Sequence, residues 1–90
     1  MNKLKPKNHK TLKKIMRIED KLERINSFIN FDNLKKQGYI PKNVMEIIDN
    51  LDYFKNKLKS DKLNEREVKM LNIVLDEINF YFDYKFSDYV

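Results

Sequence analysis

The sequence predicts an all-α protein, read as a three-helix bundle, and three observations lead there. Apolar residues recur at spacings of three and four through most of the chain, the period of a helix with one buried face. One glycine and two prolines leave little turn chemistry from which to build strands. Charged residues make up 37% of the chain but carry both signs, and the 41% that are hydrophobic suffice for one modest core. Ninety residues make a single domain, because two cores of half that size would each be too small to hold.

The elements follow in order. Residues 1–8 contain Pro6 and show no apolar periodicity, so they read as a flexible basic arm, with 9–90 as the one helical-bundle domain. Helix 1 is expected over residues 9–30, where Leu12, Ile15, Ile18, Leu22, Ile25 and Ile29 form a stripe that drifts slowly, as a heptad seam does. Residues 31–40 either continue it or form a separate turn. Gly38, behind Lys35 and Lys36, has the character of a helix stop, since glycine takes the left-handed conformation cheaply. Pro41 then favours a new start. Helix 2 is expected over 41–60, with Val44, Ile47, Ile48, Leu51, Phe54 and Leu58 on one narrow face.

Helix 3, over 64–86, has the strongest start signal. Asn64 can cap it, and Glu67 three residues later completes a capping box. Leu63 and Val68 can form a hydrophobic staple across that cap. The short connection from Ser60 to Leu63 predicts that helices 2 and 3 form an antiparallel hairpin.

Helix 3 carries more apolar surface than one core uses. With Val68 at zero, Leu71, Leu75, Ile78 and Phe82 fall between roughly 280° and 340°. Val74, Tyr81 and Met70 widen that arc to about 200°. Ile73, Phe80 and Tyr84 fall on the far side, between roughly 120° and 160°. The chain then ends in an aromatic run that includes Phe86 and Tyr89. Either helix 1 or the folded-back tail covers the second face, or that face buries against another molecule. The second alternative makes Ile73, Phe80, Tyr81, Tyr84, Phe86 and Tyr89 the expected protein interface, facing another protein or a second copy in a homodimer.

Charge is unevenly placed. Lys3, Lys5, Lys7, Lys10, Lys13 and Lys14 give residues 1–14 a charge of +6 with no acid, so the remainder carries −1, the difference between +5 and +6. Such an arm could contact phosphates or another anionic surface. It holds no arginine to read guanine and no aromatic to stack on bases, and Glu65 and Glu67 stand where a recognition helix would meet phosphate. Nucleic acid is therefore the alternative partner.

Catalysis and cofactors find no support in the residues. Cysteine is absent, which removes thiol nucleophiles and zinc–thiolate sites. His9 is the only histidine and has no orienting partner nearby in sequence. Carboxylate pairs such as Glu19 with Glu23 read as solvated helix charges, and Arg17, Arg24 and Arg66 occupy polar helix positions. No metal or cofactor is expected. No apolar run approaches the ~18 residues of a membrane span, and no apolar stretch follows the N-terminal lysines as a secretory signal requires. A cytoplasmic, non-enzymatic regulator or inhibitor that binds another protein is the expected function, and a toxin-neutralising immunity protein is a further alternative. The chain lacks alanine and is rich in Lys and Asn. That is the bias of an AT-rich genome, and it points to a phage or mobile element as the setting.

Overall fold

A computed structural model describes residues 5–38 and 40–89. Five helices and no strands occur among the described residues: α1 (Pro6–Phe28), α2 (Phe31–Lys36), α3 (Lys42–Asp49), α4 (Leu51–Lys59) and α5 (Glu65–Lys85). The all-α expectation holds, but five helices stand where three were expected.

α1 begins at Pro6, three residues before the expected start at His9, because proline tolerates the first turn where its missing N–H costs nothing. Residues 5–8 are therefore not a free arm. Asn8 is buried and its amide donates to the Leu58 carbonyl at 3.1 Å and to Asp61 Oδ1 at 3.2 Å. α1 ends at Phe28, and Ile29 is extended. Asn26 Oδ1 accepts from the Phe31 N–H at 3.2 Å, and Asn30 caps α2 by accepting from the N–H of Asp32 at 3.0 Å. Those two side chains divide the helix, so residues 31–36 form a separate helix rather than an extension. Gly38 is left-handed at φ 77° with open space around it, so its role is the backbone conformation alone.

The expected second helix is broken at Asn50. The Asn50 side chain donates to the Glu46 carbonyl at 2.6 Å, while its N–H turns to the Ile47 carbonyl at 3.1 Å. The side chain thus takes the acceptor that an unbroken helix gives to the backbone. α4 restarts with the Phe54 N–H on the Asn50 carbonyl at 3.1 Å. α4 stops in a Schellman motif, with Lys62 N–H on the Lys57 carbonyl at 2.9 Å and Asp61 N–H on that of Leu58 at 3.2 Å. Asp61, not glycine, takes the left-handed position at φ 54°. The capping box on α5 forms as the sequence predicts, with Glu67 N–H on Asn64 Oδ1 at 2.8 Å and Asn64 N–H on Glu67 Oε1 at 3.0 Å.

The helices gather on α1, which packs against α5, α4 and α2. α1 and α5 run parallel, because their cross-links advance together. Lys7 pairs with Glu65, Thr11 with Asn72, Lys14 with Asp76 and Lys21 with Asp83. α4 runs against α1, since Leu58 meets Asn8 while Lys55 meets Glu19. Instead of an intimate hairpin between the second and third predicted helices, both pack on the first. The core holds Ile15, Ile18 and Ile25 of α1, Leu51 and Leu58 of α4, and Val68, Leu71, Leu75, Ile78 and Phe82 of α5. Phe31 and Phe86 close one end around Phe82, with ring centroids 6.3 Å and 5.9 Å from it. The molecule measures 42 × 21 × 19 Å, a rod set by its two long helices.

Ile78 and Ile73 provide a direct test. They sit on one helix, yet Ile78 is 1% exposed and Ile73 is 60% exposed. Ile78→Ala should cost about 2–5 kcal/mol by urea denaturation. Ile73→Ala should stay within about 0.5 kcal/mol of the parent. Equal costs would show that the second face is also core.

Candidate protein-interaction surface

α5 positions two apolar faces by its period alone. The inner one is filled, as described. On the outer one Met70, Ile73, Phe80 and Tyr84 are 61%, 60%, 73% and 77% exposed. Burial of the inner face against α1 fixes how α5 is rotated, so the outer residues are held in solvent by the packing opposite them. No described element covers them.

The six residues expected at the interface do not all lie there. Ile73, Phe80 and Tyr84 form the exposed row. Tyr81 is half-buried, with its ring 6.0 Å from Phe82 and 6.3 Å from Phe86, and burial pushes its phenol pKa above the ordinary range. Phe86 is 6% exposed and belongs to the core, capping α5 through its N–H on the Phe82 carbonyl at 2.8 Å. Its place on the wheel, level with Val68, is the signal that the aromatic run concealed. Tyr89 is partly buried with its ring 5.3 Å from Phe28, as the tail folds over the end of α1. One exposed residue joins the row instead, Met70, which the wheel placed on the flank of the core. Phe28 is 68% exposed at the end of α1, on a different helix and against Tyr89.

The lysines expected to meet anions are largely engaged within the chain. Lys3 lies outside the described residues. Lys5 is 3.0 Å from Asp61, Lys7 pairs with Glu65, and Lys14 is 2.9 Å from Asp76. Lys10 and Lys13 are exposed and form no ion pair among the described residues. A phosphate approaching the start of α1 therefore meets two carboxylates together with the lysines. The Lys5 ammonium holds the Asp61 carboxyl below its usual range, helped by Asn8, and the Lys7 ammonium does the same for Glu65.

An open groove lies between α1 and the α3–α4 junction, lined by Glu19, Glu23, Asp49 and Asp52 among others. Its carboxylates are largely paired. Lys55 lies 2.9 Å from Glu19 and 3.5 Å from Asp52, and Lys35 lies 2.7 Å from Asp49. Hydrogen bonding to Glu19 raises the Lys55 pKa, so the ammonium stays charged. Among the described residues no group of three His, Cys, Asp or Glu side chains is arranged to hold a metal, and no helix is long and apolar enough to cross a membrane.

The lowered carboxyls of Asp61 and Glu65 fix the sign of a pH effect. Their pairing stabilises the fold above the ordinary carboxylate range and is lost as pH falls through it. A Lys5→Ala/Lys7→Ala variant should melt below the parent at neutral pH and low salt, and the two melting curves should converge in acid. A gap that persists in acid would assign the effect to something other than these pairs. No protein-family model matches the chain, and no curated protein or solved structure matches it significantly.

Proposed function

We propose that the chain is a protein-interaction module that acts without catalysis, regulating or inhibiting the protein it binds, with the outer face of α5 as its working surface. One observation carries this reading: four large apolar side chains in a row on a single helix face are each at least 60% exposed. Scattered exposed apolar residues are ordinary, whereas an aligned row is the pattern of a contact surface. Phe80 and Tyr84 supply the binding logic, since aromatic anchors carry much of the free energy of an interface at low rotamer cost.

The cytoplasm of a cell carrying a phage or mobile element is the setting proposed, on composition alone. A toxin-neutralising immunity protein would be one form of this reading and would use the same face. Nucleic-acid binding has less support, because Lys5, Lys7 and Lys14 are engaged with carboxylates of the same chain.

Phe80→Asp combined with Tyr84→Lys tests the surface. Helical circular dichroism and the urea midpoint should match the parent, while a protein retained by the parent from its host extract should be lost. Unfolding of the variant would place these side chains in the fold's support. Retention of the same protein by both would remove this face from the function.

A further inference from the structure

The outer face of α5 has a spacing of its own. Counting from Arg66, exposed residues follow at alternating steps of four and three: Arg66, Met70, Ile73, Glu77, Phe80 and Tyr84. That is a heptad seam, the pattern with which one helix meets another along its length. It lies opposite the seam that packs on α1, so α5 is built to pair on both sides.

We infer that the partner of this seam is a second copy of this chain, packed antiparallel about a two-fold axis at the level of Leu75. The inference rests on the reading that this face is the working surface, and charge complementarity selects the occupant. Antiparallel packing at that level sets Arg66 against Tyr84 of the second copy, a cation over an aromatic ring. Met70 meets Phe80 of the second copy, a thioether on a ring edge. Lys69, beside the seam, faces Asp83 of the second copy, whose carboxylate also holds Lys21 of its own chain at 2.8 Å. A parallel arrangement would instead set Arg66 on Arg66 and Glu77 on Glu77. A shift by one heptad would leave Phe80 and Tyr84, or Arg66 and Met70, without a counterpart on the other α5. The two Asp76 carboxylates approach each other near the axis, and each is neutralised by Lys14 of its own chain at 2.9 Å.

Glu77 weakens the pair, as does the approach of the two Asp76 carboxylates. Glu77 falls opposite Ile73 of the second copy, where its stem packs and its carboxylate must reach outward to water. The four apolar residues from each copy would bury on the order of 1,000 Å², at the low end for a specific interface. The dimer is therefore concentration-dependent rather than obligate.

Analytical ultracentrifugation of the full chain across micromolar concentrations tests this, alongside single-cysteine variants in a protein with no cysteine of its own. The parent should shift reversibly from monomer to dimer. Glu77→Leu should tighten the association by roughly tenfold or more, and Phe80→Asp/Tyr84→Lys should hold the chain monomeric with its helicity intact. Asp76→Cys, near the axis, should cross-link to itself through a short bismaleimide, whereas Tyr84→Cys should not. A parent that stays monomeric, a dimer that survives the double substitution, or self-cross-linking through Tyr84→Cys would each overturn the inference. If the parent is monomeric while the double variant still loses a foreign protein, self-pairing fails and the working-surface reading stands. If neither property changes, both fail.

Discussion

The parallel pairing of α1 with α5 is the constraint on which the rest of the structure depends. Both helices bury residues at steps of three and four, and their burial patterns coincide over residues 5–20 and 65–80. Hydrophobic seams alone tolerate a slip of one heptad, because the next apolar residue occupies the same kind of position. The polar residues resist that slip. Thr11 is fully buried and donates to Asn72 Oδ1 at 2.9 Å, with the Lys7 carbonyl at 3.0 Å. A slip would strand the Asn8 amide, whose partners Leu58 and Asp61 lie outside α1, and an unpaired buried polar group costs about 1–3 kcal/mol. The flanking lysines Lys7, Lys14 and Lys21 repeat every seven residues, and all three find carboxylates in the observed register. Each exposed pair is worth little alone. Because Asp76 and Asp83 are also seven residues apart, a slip of one heptad would re-pair part of this row, so the register rests on the buried polar groups.

Parallel neighbours cannot be joined by a short turn, which explains the middle of the chain. The chain must return along the length of α1 before α5 can start beside α1's beginning. α2 turns the corner and inserts Phe31 beneath Phe82 and Phe86. α3 and α4 make the return, and the break at Asn50 divides it into two shorter segments. Asp61 joins the end of that return to the start of α1. Its carboxylate holds Lys5 and Asn8 while its backbone ends α4 in the left-handed conformation. An aspartate tolerates that conformation better than most residues, though less well than glycine. Here its side chain gives contacts that glycine lacks.

Sequence periodicity revealed the two long helices and the cap of α5, because those depend on local patterns. It missed the beginning of α1 because the seam there continues in polar residues. Asn8 and Thr11 occupy the same steps as Ile15 and Ile18, and a count of apolar residues cannot see them. The break at Asn50 escaped for a different reason. The apolar face from Val44 to Leu58 is continuous, and asparagine within a helix gives no sign of which carbonyl its amide will take. Phe86 was hidden by its neighbours, since an aromatic run suggests a surface even where the helix angle points inward. The outer row of Ile73, Phe80 and Tyr84 was legible because it lies opposite the core stripe. Whether another part of the chain covered it depended on tertiary packing, which periodicity does not encode.

The two seams of α5 are chemically alike but energetically separate. Val68, Leu71, Leu75, Ile78 and Phe82 leave water when the chain folds. Met70, Ile73, Phe80 and Tyr84 remain largely in water in the folded monomer, so the hydrophobic effect credits folding with little of their area. Stability of the monomer therefore gives no account of why these four are apolar, and an exposed helix face is served as well by lysine or glutamate, which favour helix about equally. Their free-energy gain becomes available only when a second surface excludes water from the row. The same geometry that denies them a role in folding leaves them available for the association proposed above, and α1, packed against α2, α4 and α5, carries no comparable row.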